Sequence, residues 1–228
     1  MNEQKQHTRV INSLTGNAEK KFLAWLASKM PLWVTSDLMT IIGILGSVII
    51  FASYCLTNLS PNYLWLASFG FILNWFGDSL DGTLARYRKA ERPNYGFFID
   101  HAVDAISEVL IFLGLGISPY VKFDLATLAL IGYMLLSIYV YLLTYVVRLF
   151  RITFIKLGPT EIRIIAILCN TILFFVGKPS FDLPFGTFTF YDIVVALLAV
   201  ALYVAFIVNT ITTSSRLSRH DMNLLKHK

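Results

Sequence analysis

Asp78, Asp81, Asp100, Asp104 and Glu108 all interrupt otherwise apolar stretches of this chain, which has only 14 acidic residues. Asp78 and Asp81 are three apart, and Asp100, Asp104 and Glu108 follow one another at intervals of four. On helices, each set shares one face. Carboxylates converging in a polar pocket suit hard divalent cations such as magnesium or manganese. Two other uses fit the same spacing: an ion or proton relay, and ion pairs with Arg86, Arg88 and Arg92 of the intervening loop. Gly82 directly follows the second aspartate and Gly96 precedes the third by four. Both fall on the carboxylate side, where a missing side chain lets a bulky ligand approach the backbone, and a relay has no need of that space.

The elements that hold these residues follow from composition. The chain has 228 residues, 56% hydrophobic and 14% charged, against about 25% charged in a typical soluble domain, and its mean hydropathy is +0.65. A soluble globule of this size could not hide that much apolar surface. A soluble enzyme, a disulfide-stapled secreted domain and a disordered tail are excluded, and an all-α integral membrane protein is expected. Apolar runs near the roughly 20 residues that cross a bilayer occur six times, at about 38–56, 63–84, 97–117, 125–147, 162–176 and 190–211. The breaks carry turn residues, among them Pro61, Pro119, Gly158 and Gly177. The residues before position 38 are polar, so no cleaved signal peptide is expected. Within them Phe22, Trp25, Leu26 and Met30 recur at helical spacing beside Glu19, Lys20, Lys21 and Lys29, as in an amphipathic helix lying in the headgroup layer.

A charged side chain at the bilayer centre costs about 2.5–3.5 kcal/mol on insertion scales, so the acidic cluster needs a partner. The basic residues give the orientation. All but Lys122 and Lys178 of the 19 lysines and arginines fall on one side of the six spans, which by the positive-inside rule is cytoplasmic, together with both termini. The net charge of +5 then describes a headgroup-facing surface and needs no nucleic-acid partner. The expected division is a cytoplasmic N-terminal segment with its interfacial helix over 1–34, a six-helix transmembrane unit over 35–213 and a basic cytoplasmic tail over 214–228. Cys55 and Cys169 lie inside apolar runs and read as core cysteines.

Written out, the acidic segment is Asp78, two residues, Asp81, Gly82, two residues, Ala85, Arg86, nine residues, Gly96, three residues, Asp100, three residues and Asp104. This resembles the signature of the CDP-alcohol phosphotransferases, also called CDP-alcohol phosphatidyltransferases, integral membrane enzymes of phospholipid synthesis. The resemblance implies transfer of a substituted phosphate group from a CDP-linked alcohol, either CDP-diacylglycerol or a CDP-amino alcohol, to the hydroxyl of an acceptor alcohol, with release of CMP. One of the two substrates would be a lipid. It implies magnesium or manganese, two ions per site, held by Asp78, Asp81, Asp100 and Asp104, with Asp104 also the general base on the acceptor hydroxyl. Gly82, Ala85, Arg86 and Gly96 would line the CDP moiety. Thr35, Ser36, Asp37 and Thr40 stand where the family's first span has a threonine-proline-asparagine group and a later threonine, so Asp37 and Thr40 would join the nucleotide contacts. A homodimer in a bacterial-type inner membrane, with its site facing the cytoplasm, is implied as well.

The alcohol stays open at this level. His101 beside Asp100, and the group Gly158, Pro159, Thr160, Glu161, resemble the choline and ethanolamine branch, where an acidic residue such as Glu108 or Glu161 can sit by the amine. Arg148, Arg151, Lys156 and Arg163 could instead hold a phosphorylated acceptor, with CDP-diacylglycerol as donor; the positive-inside rule alone also accounts for them. The other class to weigh is an ion or solute transporter using the acidic pocket, against which stands the lack of any internal repeat.

Overall fold

The computed structural model describes residues 16–147, 159–184 and 186–226, and over them the chain is helical apart from one hairpin. The helices are α1 (Gly16–Lys29), α2 (Ser36–Leu56), α3 (Tyr63–Tyr87), α4 (Pro93–Ile117), α5 (Phe123–Val147), α6 (Pro159–Val176) and α7 (Phe190–Lys226). Between the last two, β1 (Ser180–Leu183) pairs antiparallel with β2 (Gly186–Thr189). By length and apolar composition α2, α5, α6 and α7 are each fit to cross a membrane. α3 and α4 are 25 residues each, and they are the two that carry the acidic cluster. α7 runs 37 residues without a break at position 213, about 55 Å. The basic C-terminal segment is therefore a continuation of the last apolar helix as far as Lys226.

Local chemistry sets the helix ends. Thr35 caps α2, its Oγ1 accepting from the Leu38 amide at 3.2 Å. Thr189 and Asp192 cap α7 reciprocally: Thr189 Oγ1 accepts from the Asp192 amide at 3.0 Å, and Asp192 Oδ2 accepts from the Thr189 amide at 2.8 Å. α3 ends in a Schellman turn, the Ala90 amide donating to Ala85 O and the Lys89 amide to Arg86 O. This turn holds Lys89 at φ 53°, a place usually taken by glycine. Arg88 then reaches back to the carbonyls of Met30, Pro31 and Val34 and closes the turn from α1 to α2.

The short connection between the two acidic helices suggests that they are antiparallel neighbours. Instead α3 and α4 each pack on α2, with α1 and α6 against α3 and with α5 between α4 and α7. Small residues explain the seam. A Cβ at Gly77 of α3 would lie 2.3 Å from Gly43 N, and one at Gly46 of α2 would lie 2.4 Å from Asn74 N, so these two helices touch backbone to backbone. Two apolar clusters result. One gathers Ile50, Tyr54, Leu64, Phe71, Leu173 and Val195; the other gathers Leu23, Ala27, Val34, Met39, Leu80 and Leu84 at the end that carries α1. Along α2 and α3 the residues between the two clusters include Thr40, Ser47, Asn74 and Asp78, all polar, and the site lies at that level.

Candidate active site

Asp78 on α3 and Asp100 and Asp104 on α4 each offer a carboxylate oxygen such that the three oxygens lie within 4.8 Å of one another. Successive turns of α4 supply Asp100 and Asp104, and the close α2–α3 seam holds Asp78 opposite them. Asp81 lines the same cavity with Thr40, Gly43, Asn74 and Ser107, but its carboxylate is already engaged. The Thr40 hydroxyl donates to Asp81 Oδ2 at 2.9 Å, and the Gly82 amide donates to Oδ1. The cavity holds about 10 Å³, the room of a single water. It is a space for small ions, and a nucleotide would have to lie on the open side.

Among the described residues, Arg163 of α6 carries a guanidinium into this cluster. Its Nη2 donates to Asp78 Oδ2 at 2.7 Å and its Nε to Asn74 Oδ1 at 2.8 Å. Asn74 is held in turn by its own donations to Gly43 O at 3.1 Å and Ser47 Oγ at 2.9 Å. The loop arginines weighed from sequence as partners of the carboxylates go elsewhere. Arg86 donates to Thr83 Oγ1, Arg88 caps the α1–α2 turn, and Arg92 pairs with Asp37. Arg86 lies in the last turn of α3, Arg88 caps its end and Arg92 precedes α4, so all three stand at the helix ends, whereas Arg163 sits on a helix packed along α3.

Ser107 Oγ, one turn beyond Asp104, is buried in the cavity wall, and among the described residues it is the buried side-chain polar atom without a hydrogen-bond partner. An orphaned hydroxyl facing three clustered carboxylates, with Arg163 the cation among them, fits a site for a hard cation and oxygen-rich substrate.

The remaining expected residues fall into three groups. Thr40 enters the cavity wall, while Asp37 is drawn to Arg92 away from it. A Cβ on Gly82 would lie 3.2 Å from the Arg86 guanidinium, and one on Gly96 would meet nothing within 4 Å; Ala85 is half-buried, and none of the three lines the cavity. His101 turns its Nδ1 to Phe97 O at 2.7 Å and packs against the rings of Phe97 and Tyr141. Glu108 is hydrogen-bonded by the Tyr133 hydroxyl, and Glu161 is buried at the start of α6; neither lines the cavity. Arg148, Arg151 and Lys156 lie outside the described residues. Sequence reasoning missed Asn74, Ser47 and Ser107. Asn74 precedes Asp78 by four and Ser107 follows Asp104 by three, so each shares a face with a named aspartate, and a polar residue at that spacing in an apolar run was the available signal.

Compared with known proteins, residues 33–214 match the model of the CDP-alcohol phosphatidyltransferase family. Cholinephosphotransferase 1 of Xenopus laevis is 30% identical over 118 residues, 49% of this chain and 29% of that protein. Archaetidylinositol phosphate synthase of Pyrococcus horikoshii is 31% identical over 106 residues, 46% of this chain and 53% of that protein. Phosphatidylinositol phosphate synthase of Cutibacterium acnes is 33% identical over 84 residues, 37% of this chain and 38% of that protein. The chain thus matches about half or less of the length of these curated relatives.

Proposed function

The chain belongs to the CDP-alcohol phosphatidyltransferase family, and from that premise we propose that it transfers a substituted phosphate group from a CDP-linked alcohol to the hydroxyl of an acceptor alcohol, releasing CMP. The observation that carries this reading is the convergence of Asp78, Asp100 and Asp104 within 4.8 Å. Family membership favours the transferase over the transporter that the spacing alone left open.

The chain's own groups divide the work. Asp78, Asp100 and Asp104, with Asp81 beside them, would hold one or two divalent ions, magnesium or manganese. When bound, these ions neutralise the pyrophosphate and stabilise CMP as leaving group. Arg163 fixes one oxygen of Asp78 and so orients that carboxylate, as partners behind a metal ligand do. A free hydroxyl is a poor nucleophile, and Asp104 would accept its proton as the new phosphodiester bond forms. Gly82, Ala85, Arg86 and Gly96 would receive the CDP moiety, with Thr40 holding Asp81 in place. Ser107 Oγ would donate to an oxygen of the bound substrate or ligate the ion.

Around this site we place six spans, α2 to α7, with α1 in the headgroup layer and with both termini and the cavity on the cytoplasmic side. Exposed Phe22, Trp25 and Trp33 beside Lys21 and Lys29 support that seat for α1. The family unit would be residues 35–213, flanked by segments 1–34 and 214–228, in a homodimer within a bacterial-type inner membrane. The test is CMP release by purified protein with magnesium and a panel of CDP-choline, CDP-ethanolamine and CDP-diacylglycerol, each offered with diacylglycerol, glycerol phosphate or inositol phosphate. Release with one matched pair, abolished by a chelator, is expected. No release with any pair would overturn the reading.

A further inference from the structure

The most distinctive contact outside the acidic cluster is made by a single carboxylate oxygen of α1. Glu19 Oε1 accepts from Trp75 Nε1 on α3 at 2.8 Å and from Thr160 Oγ1 on α6 at 2.7 Å. Trp75 is three residues before Asp78 and next to Asn74, and Thr160 is three residues before Arg163. The same two helices are joined one turn further along by the bonds from Arg163 to Asn74 and Asp78. Glu19 therefore sets the spacing and register of α3 against α6 one turn from the guanidinium that orients a proposed metal ligand. It is itself held firmly, because Leu23 and Ala27 of α1 are buried in a cluster with Met39, Leu80 and Leu84. Its negative charge also sits at the first turn of α6, where a helix favours an anion.

Resting on the transferase reading above, we propose that Glu19 is a positioning residue for the reaction: by clamping Trp75 and Thr160 it seats Arg163 on Asp78, and so couples the docking of α1 to the geometry of the carboxylate cluster. The clamp needs an acceptor oxygen and a short reach, since both donors converge on Oε1. Glutamine keeps the acceptor and alanine removes it.

The experiment uses the full chain in lipid nanodiscs. Mn2+ affinity is measured without substrate by electron paramagnetic resonance, kcat and KM by CMP release, and folding by thermal unfolding. Changing a partner behind a metal ligand typically weakens binding by about 10–100-fold, and Glu19 acts one contact further back. Glu19→Ala is therefore expected to weaken Mn2+ binding by about threefold to tenfold and to lower kcat by about tenfold, with donor KM little changed. Thr160→Val should act alike, and the double variant should be no worse than the poorer single one. Glu19→Gln should restore Mn2+ affinity and kcat, and Lys20→Ala, an exposed neighbour on α1, should behave as wild type. Wild-type Mn2+ affinity and kcat in Glu19→Ala would overturn the proposal, as would equal damage from Glu19→Gln or losses that track the unfolding temperature alone. A wild-type chain that binds Mn2+ but releases CMP with no substrate pair would defeat the transferase reading instead, and the Mn2+ comparison between Glu19 variants would still decide the clamp.

Discussion

Replacing Gly77 with alanine puts a methyl group where no methyl fits. Its Cβ would lie 2.3 Å from Gly43 N, 2.5 Å from Met39 O and 2.6 Å from Gly43 Cα, all backbone atoms that no rotamer change can clear. Restoring ordinary contact at 3.4 Å requires α2 and α3 to part by about 1 Å. Overpacking of that kind costs about 1–3 kcal/mol, a fall of about 2–12 °C in unfolding temperature for a chain of this size. The movement also carries Asp78, the next residue, away from Asp100 and Asp104. A displacement of 1 Å at a reacting centre can cost about 100-fold in rate, so the loss of turnover should exceed what the stability change alone explains. A thiol-reactive dye reporting exposure of half-buried Cys55 and Cys169 measures unfolding, and CMP release at a temperature where the variant is folded measures turnover. Gly43→Ala supplies the contrast, since its Cβ would meet its nearest neighbour, Asp78 N, at 3.4 Å. It should unfold close to wild type. Wild-type unfolding and turnover in Gly77→Ala would refute the account of the seam.

Further outcomes follow from single atoms. Asp104→Asn should lower transfer by about 10²–10⁴-fold, the range of a lost general base, while CDP-alcohol binding measured by calorimetry persists; near-wild-type turnover would remove Asp104 from that role. Ser107→Ala deletes a buried hydroxyl with no partner, so the ligand-free protein should gain up to about 1 kcal/mol of stability while magnesium dependence shifts to higher concentration. A stability loss together with unchanged magnesium dependence would show that the hydroxyl is satisfied within the protein. Lys89→Gly relieves the φ of 53° at the end of α3 and should raise the unfolding temperature by the equivalent of about 1 kcal/mol. A drop on that substitution would mean that the lysine side chain contributes more than its backbone strain costs.

What the sequence reveals about this fold depends on how far apart the interacting residues stand. Helix positions were legible because apolar length and breaking prolines act locally, and each of the six apolar runs lies within one helix of the structure. The shared face of Asp100 and Asp104 was legible for the same reason, since a four-residue interval on one helix needs no tertiary knowledge. The partner of the cluster was not. Arg163 stands 85 positions from Asp78, on a helix whose placement follows from its packing against α3, and the positive-inside rule gave its charge an adequate explanation at the membrane surface. Arg86, Arg88 and Arg92 looked closer only along the chain, and each has its own employment in a helix terminus or a loop.

Arg163 also changes what the basic residues say about the acceptor alcohol. From sequence it belonged to a set of four that could grip a phosphorylated acceptor. In the structure its Nε and Nη2 are committed to Asn74 and Asp78, so its charge is directed at the carboxylates. His101, which pointed to the amino-alcohol branch, lies instead among the rings of Phe97 and Tyr141 beside Asp100, and aromatic faces next to a carboxylate attract a quaternary ammonium group. If that surface selects the alcohol, Tyr141→Ala should raise KM for CDP-choline severalfold while leaving KM for CDP-diacylglycerol unchanged, and the reverse pattern in the same CMP-release assay would return the choice to the basic residues Arg148, Arg151 and Lys156.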